Sequence, residues 1–145
     1  MAKQTYLVGV DGSEWGERAA QRAVTLAKQT GAEVVLMTII PWSGFTPMTL
    51  DEIANRPLER SEEEKTAHKD ILDPLIEKFG DDAVTIRGEF AWGHPTEEMH
   101  KRCKELKANM IFVGRRGRSR IADLILGSVA NSLAHTAGVP VVLVP

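Results

Sequence analysis

The sequence predicts an α/β fold in which a mainly parallel sheet carries helices on both faces. Short apolar runs alternate along the chain with longer segments whose apolar residues recur at helical spacing, which is typical of parallel-sheet domains. Four of the five runs are almost continuously apolar, as expected for parallel strands that are buried on both faces. The length of 145 residues predicts a single domain that covers residues 1–145.

The five apolar runs are the predicted strands. The third differs from the others because Val84 and Ile86 alternate with Thr85 and Arg87, which predicts a half-exposed strand at one edge of the sheet. The fifth contains Pro140, and proline is best tolerated in an edge strand. The runs are Tyr6–Val10, Val34–Ile40, Ala83–Phe90, Met110–Val113 and Val139–Val144.

The segments between these runs are the predicted helices. Apolar residues of Ser13–Thr30 share one face, and Gly31 is placed to end that helix. The segment Asp51–Phe79 contains Pro57 and Pro74, so we expect a break or a kink within it. The remaining two helical segments are Pro95–Leu106 and Ser128–Ala137.

The composition excludes several classes of protein. Hydrophobic residues make up 43% and charged residues 26% of the chain, which excludes a disordered tail, a collagen-like chain and a disulfide scaffold. The net charge of −2 provides no overall field for nucleic acid or an anionic membrane, so we expect neither partner. The single cysteine, the lack of a recognisable signal peptide and the short apolar runs lead us to expect a cytoplasmic protein.

The fifth run predicts self-association. Residues Val139–Val144 carry no charge, and an apolar strand at the edge of a sheet is prone to pair with another chain unless something covers it. A second copy of the same chain is the simplest cover. We therefore expect a homodimer that forms through this segment.

A set of spaced glycines after the fourth run predicts a phosphate site. Gly114 ends a predicted parallel strand, and ligands of open α/β sheets bind at that edge. Gly117 allows a close approach of the backbone, and Gly127 with Ser128 opens a helix whose free amides suit an anion. Together they predict a backbone cradle for a polyphosphate. The pattern is neither a Walker A loop nor a dinucleotide fingerprint.

A carboxylate follows the first run at the same edge of the sheet. Asp11 can accept hydrogen bonds from a ribose or from an adenine amino group. The alternative is that Asp11 or Ser13 only caps the first helix, which short polar side chains do well. The residues alone leave these two interpretations equally open.

The glycine spacing and its surroundings resemble the ATP-binding subgroup of the universal stress protein family. The pattern Gly-x2-Gly-x9-Gly-Ser at 114–128 is similar to the ATP-binding signature of that family. The opening residues 8–14 (Val-Gly-Val-Asp-Gly-Ser-Glu), the turn Gly93-His94-Pro95 and the final segment Val139–Val144 extend the resemblance over nearly the whole chain.

The resemblance implies a fold, a ligand and a site. The fold is an adenine-nucleotide alpha-hydrolase-like sheet of order 3-2-1-4-5, and the last strands pair across a homodimer. The ligand is ATP, with Mg²⁺ held by its phosphates. The implied contacts with adenosine and ribose come from Gly9, Val10, Asp11, Ile39, Val113 and Gly114, and those with the phosphates from Gly117, Gly127, Ser128 and Val129. Thr38 departs from the family because many members carry histidine there.

The sequence contains further residues that could bind a phosphate, hold a metal or act in catalysis. Arg115, Arg116, Arg118 and Arg120 form a basic loop, and Arg116 is included in the candidate site because a guanidinium suits a phosphate. The four histidines are too widely spread to predict a built-in metal site. No partnered nucleophile and base can be named, so no catalytic residue is predicted.

Three functions remain open at this stage. The first is a homodimeric ATP-binding module of the stress response, whose conformation is read by an unidentified regulatory protein. The second is a slow ATPase or another nucleotide-dependent enzyme that uses Asp11 or an arginine of the loop. The third is a dimerising scaffold that binds no nucleotide.

Overall fold

The protein is a five-stranded parallel sheet with helices on both faces. The computed structural model describes residues 3–40, 50, 60–116 and 127–145. The strands lie in the order β3-β2-β1-β4-β5, and every pairing is parallel. They are β1 (Thr5–Gly9), β2 (Glu33–Ile40), β3 (Thr85–Trp92), β4 (Met110–Gly114) and β5 (Val141–Val144). This topology confirms the predicted fold class and the edge positions of the third and fifth strands.

Four α-helices, together with an α-helical stretch at residues 60–66, are found between these strands in the described part of the chain. Helix α1 (Glu14–Thr30) and helix α2 (Asp73–Phe79) pack on one face of the sheet, and α3 (Pro95–Leu106) and α4 (Ser128–Thr136) pack on the other. Alternate strand residues divide the core accordingly. Val34 and Leu36 belong to the α1 face, whereas Val35 and Met37 belong to the α3 and α4 face.

Helix α1 has the ends that its sequence predicts. The Ser13 hydroxyl accepts a hydrogen bond from the Gly16 amide at 3.2 Å, so Ser13 is the N-cap. Gly31 has a φ of 77° in the left-handed region, and its amide donates to the Ala27 carbonyl at 2.8 Å. Five alanine and valine residues between these ends are buried, so the apolar stripe of α1 faces the sheet: Ala19, Ala20, Ala23, Val24 and Ala27.

The predicted irregularity near Pro74 takes the form of a π-helical turn. Residues 60–66 are α-helical, Ala67–Leu72 form π-helix, and α2 follows directly. The Asp73 amide donates to the His68 carbonyl five residues earlier. Proline lacks an amide hydrogen and crowds the preceding turn, so a widened turn just before Pro74 accommodates it. Pro57 lies outside the described residues.

The direction of the helices brings two of them to one edge of the sheet. Helices α3 and α4 run antiparallel to the strands that they connect, so both begin at the edge where the parallel strands end. None of the helices in the described residues is long and apolar enough to cross a membrane.

Candidate functional site

The candidate site lies at the topological switch point of the sheet, between the two neighbouring strands from which the chain continues in opposite directions. Strands β1 and β4 are neighbours, although the chain places two other strands between them. Helix α1 covers one face beside them and α3 and α4 cover the other, so a crevice is expected at the carboxyl ends of β1 and β4. Most of the predicted site residues that the structure describes lie at or next to this edge.

Gly9 and Val10 form the end of the central strand. A Cβ atom on Gly9 would lie 3.2 Å from Val113 Cγ1 and 3.3 Å from Met99 Cε, so Gly9 lets the α3 face pack tightly against β1. Val10 is buried on the opposite face, and its amide donates to the Met37 carbonyl at 2.9 Å. The crevice therefore begins at the level of these two residues along the strand direction.

Asp11 is fixed by the turn that starts α1. Its Oδ1 accepts hydrogen bonds from the Ser13 amide at 2.9 Å and from the Ser13 hydroxyl at 2.5 Å. Ser13 in turn caps α1, so Asp11 supports the cap rather than forming it. Within the described residues no hydrogen bond reaches Asp11 Oδ2. One of the two carboxylate oxygens, Oδ1, thus has a structural task.

Position 114 requires a glycine because helix α1 packs closely against it. A Cβ atom there would lie 2.5 Å from Trp15 Cβ, 2.8 Å from the Trp15 carbonyl carbon and 2.9 Å from the Arg116 carbonyl oxygen. Such distances are sterically forbidden, so Gly114 is needed for the first turn of α1 to lie against the end of β4. The sequence does not reveal this reason, because Trp15 and Gly114 are 99 residues apart.

Arg116 lies against the same tryptophan. Its guanidinium carbon is 5.8 Å from the Trp15 ring centroid, and that of Arg18 is 5.7 Å away. These contacts hold two cations near the N-terminus of α1 and the end of β4. The interpretation of Arg116 as a phosphate contact stays a prediction. Gly117, Arg118 and Arg120 lie outside the described residues.

The two ends of the glycine segment meet at this edge. The Gly127 amide donates to the Arg115 carbonyl at 2.8 Å, and the Arg115 amide donates to the Val144 carbonyl at 2.7 Å. The chain therefore leaves β4 at residue 115 and returns to the same point at residue 127. Gly127 is the N-cap of α4, and no side chain within the described residues caps that helix.

The first residues of α4 offer backbone amides near the crevice. Ser128 is exposed, and Val129 packs against the cluster that also contains Val113 and Met37. Unsatisfied amides and the helix dipole make such an N-terminus suitable for an anion. Ile39, near the end of β2, packs against that same cluster. The structure thus brings Ile39, Val113 and Val129 to one face of the sheet.

A second concave region lies beside the edge strand β3 and helix α3. A cavity of about 470 Å³ is lined by Met37, His68, residues 88–91, Glu98, Lys101, Arg102 and Glu105. Arg102 binds both carboxylate oxygens of Glu89 at 2.5 Å, which lowers the pKa of Glu89 and raises that of Arg102. None of the predicted site residues lines this cavity.

Comparisons with known proteins agree with this architecture. A model of the universal stress protein family matches residues 4–145. The universal stress protein YxiE of Bacillus subtilis is 32% identical over 143 residues, which cover 95% of this chain and 96% of YxiE. The solved structure of UspA from Lactobacillus plantarum has a TM-score of 0.79 at 20% identity and covers all of both chains. A universal stress protein solved in complex with cAMP has a TM-score of 0.63 at 26% identity, covering 100% of this chain and 98% of that one. The chain belongs to the universal stress protein family.

Proposed function

We propose that this universal stress protein is an ATP-binding module that works as a homodimer. The observation that carries the proposal is the hydrogen bond from the Gly127 amide to the Arg115 carbonyl. It places the start of α4 at the carboxyl end of β4, so that the glycine segment begins and ends beside the crevice. A ligand there meets the backbone amides at the start of α4, as in a polyphosphate cradle.

The proposed site divides the nucleotide into two parts. Asp11 Oδ2 and the apolar residues Ile39 and Val113 suit a nucleoside, since they offer one acceptor beside apolar surface. The amides of Ser128 and Val129 suit the phosphates, and Gly127, whose own amide is bonded to the Arg115 carbonyl, leaves the approach to them open because it has no side chain. Gly9, Val10 and Gly114 shape the floor of the crevice, and Arg116 and Gly117 complete the proposed phosphate side.

Magnesium enters this proposal through ATP. In the described residues no group of three or more histidine, cysteine, aspartate or glutamate side chains is arranged to hold a metal. The phosphates of ATP themselves supply the hard oxygen ligands that Mg²⁺ prefers. We propose that Mg²⁺ binds with the nucleotide, and that its addition strengthens ATP binding but not binding of the nucleoside.

Gly127→Val tests the assignment of the phosphate side. Gly127 has φ −58° and ψ 154°, which valine adopts without strain, so the variant is expected to fold. Its branched side chain should obstruct the start of α4 and weaken ATP binding at least tenfold, measured by calorimetric titration. Gly138→Val is the matched control, because a Cβ there meets nothing within 4 Å. Unchanged ATP affinity in Gly127→Val would contradict the site.

A second candidate ligand is a cyclic or simple nucleoside monophosphate. It is favoured by the structural neighbour that was solved in complex with cAMP. The same titration with cAMP and AMP separates the candidates. ATP that binds more tightly than both supports the polyphosphate cradle, whereas cAMP that binds more tightly than ATP supports the second candidate.

The downstream action is proposed as partner binding. An unidentified regulatory protein would read the ATP-bound conformation of the dimer. Slow ATP hydrolysis is the enzymatic alternative, and it predicts phosphate release that Asp11→Asn abolishes.

A further inference from the structure

The hydroxyl group of Thr96 is buried without a hydrogen-bond partner. Thr96 is only 9% exposed, and none of the described residues forms a hydrogen bond with its Oγ1. Leaving a buried hydroxyl unsatisfied destabilises a protein, so such groups are rare in folded proteins and call for an explanation. Thr96 lies in the first turn of α3, which begins at the carboxyl edge of the sheet.

Three other helical threonines satisfy their hydroxyl groups within the helix. Thr25 donates to the Gln21 carbonyl at 2.9 Å, Thr30 to that of Leu26 at 3.2 Å, and Thr136 to that of Ser132 at 2.7 Å. Each acceptor lies four residues earlier in the chain. This local bond is the usual solution for threonine in a helix.

Thr96 cannot use that solution because of its place in α3. His94 is the N-cap and Pro95 the first helical residue, so the carbonyls three and four residues before Thr96 precede the helix. They belong to Gly93 and Trp92, and Gly93 turns the chain with a φ of 144°. The hydroxyl therefore needs a partner from outside α3.

The position of Thr96 is next to the nucleoside part of the proposed site. Thr96, Met99 and Cys103 form the buried stripe of α3, and the Met99 side chain reaches Gly9 at the end of β1. Since α3 runs antiparallel to β1, Thr96 lies about 4.5 Å further toward the carboxyl edge than Met99. Thr96 therefore lies beyond the level of Gly9, on the side of the carboxyl edge. Helix α3 contacts β1 and β2, whereas α4, with the proposed phosphate amides, contacts β5.

We propose that the Thr96 hydroxyl is a binding residue for the nucleoside part of the ligand, a role that rests on the proposed function. A hydroxyl both donates and accepts, so it can pair with a ribose hydroxyl or with the edge of a purine ring. Binding then supplies the partner that the fold leaves out. The hydroxyl adds affinity for the ligand, while its burial costs stability in the protein alone.

Thr96→Val tests this role because valine keeps the shape and removes the hydroxyl. The nucleotide-stripped homodimer is titrated calorimetrically with ATP, AMP and adenosine. The expected result is a loss of about three- to tenfold in affinity, equal for all three ligands, as one neutral hydrogen bond contributes. The melting temperature without ligand should be unchanged or higher. Thr96→Ser should restore affinity, and Thr25→Val, on the opposite face of the sheet, serves as the control.

Each contrary outcome has a distinct meaning. If the wild-type chain binds ATP and Thr96→Val binds it within twofold, the role of Thr96 is wrong while the proposed function stands. A loss confined to ATP moves Thr96 to the phosphate side and overturns the nucleoside assignment. A lower melting temperature with unchanged affinity identifies a purely structural hydroxyl. If the wild-type chain binds none of the three ligands, the proposed function fails and the role of Thr96 falls with it.

Discussion

At the scale of single residues, Gly114 and Gly127 are glycines for different physical reasons. Gly127 has a backbone conformation open to any residue, so its lack of a side chain matters for what approaches the start of α4. Gly114 is required by the protein itself, because Trp15 occupies the space of a side chain. A substitution at Gly114 therefore tests packing, and one at Gly127 tests binding.

Gly114→Ala should destabilise the fold. Its Cβ would lie 2.5 Å from Trp15 Cβ and 2.8 Å from the Trp15 backbone, so α1 must shift away from β4. We expect the free energy of unfolding to fall by about 2 kcal/mol, within the range of overpacked cores, as measured by urea denaturation. Gly138→Ala, which has open space around its Cβ, is the control. Equal stability of the two variants would contradict this packing.

Asp11 shows how one side chain supports a helix cap with only one of its two oxygen atoms. Its Oδ1 receives both hydrogen bonds from Ser13 and so holds the helix cap, while Oδ2 faces no donor from the described residues. The cap uses Oδ1, and the proposed ligand contact uses Oδ2. Sequence reasoning could not separate them, because it treats the carboxylate as one group.

At the scale of elements, an ion pair ties the edge strand β3 to α3. Arg102 on α3 binds both carboxylate oxygens of Glu89 on β3, and Glu105 adds a contact at 3.0 Å to the same guanidinium. Arg87 also reaches Glu89 at 3.3 Å. Charged groups along an exposed edge discourage pairing with another chain. The edge at β3 is protected in this way, whereas β5 carries only apolar side chains.

Glu89→Gln should lower stability in a way that depends on pH. The hydrogen bonds from Arg102 hold the pKa of Glu89 below the ordinary value of about 4.3. A carboxylate whose pKa is lowered by folding stabilises the folded state at every pH above its unfolded-state pKa. That stabilisation is lost as the pH falls through its folded-state pKa. We expect the free energy of unfolding of Glu89→Gln to be about 1 kcal/mol lower than that of the wild-type chain at pH 7, a modest difference because the ion pair is partly exposed. The difference should shrink below about pH 4.

Thermal unfolding of both proteins between pH 3 and pH 7 measures this difference. Glu77→Gln, which changes an exposed carboxylate on α2, controls for the lost charge. A deficit for Glu89→Gln that is the same at every pH would show that the ion pair does not supply it.

At the scale of the whole molecule, the fold could be predicted from the sequence because each strand is marked by a pattern within its own segment. Apolar runs such as Val34–Ile40 mark strands buried on both faces, and the alternation around Ile86 marks an edge. The contacts of Trp15 with Gly114 and Arg116 join distant parts of the chain and have no periodic signal. Sequence reasoning also did not identify the Thr96 hydroxyl, which has no hydrogen-bond partner among the described residues. Its position directly after Pro95, at the start of a predicted helix, could have indicated that it lacks a helical carbonyl as partner.

The proposed homodimer leads to a prediction about β5. The Pro140 carbonyl accepts from the Ile111 amide of β4, and the Val144 carbonyl accepts from the amide of Arg115, which follows β4. The backbone of the alternate residues 141 and 143 therefore faces away from β4. Val141→Pro removes an outward-facing amide at the first residue of the strand, where proline is tolerated. Sedimentation equilibrium should show a dimer for the wild-type chain and a monomer for this variant. A variant that stays dimeric would place the interface elsewhere.

The central claim, that the crevice at the ends of β1 and β4 binds ATP, is tested most directly by calorimetric titration of the nucleotide-stripped protein. ATP, AMP and cAMP are compared with and without Mg²⁺ for the wild-type chain, Gly127→Val and Gly138→Val. The account predicts micromolar ATP binding, near −8 kcal/mol, with weaker AMP and cAMP binding and a loss in Gly127→Val alone. Absence of ATP binding to the folded wild-type protein would contradict it.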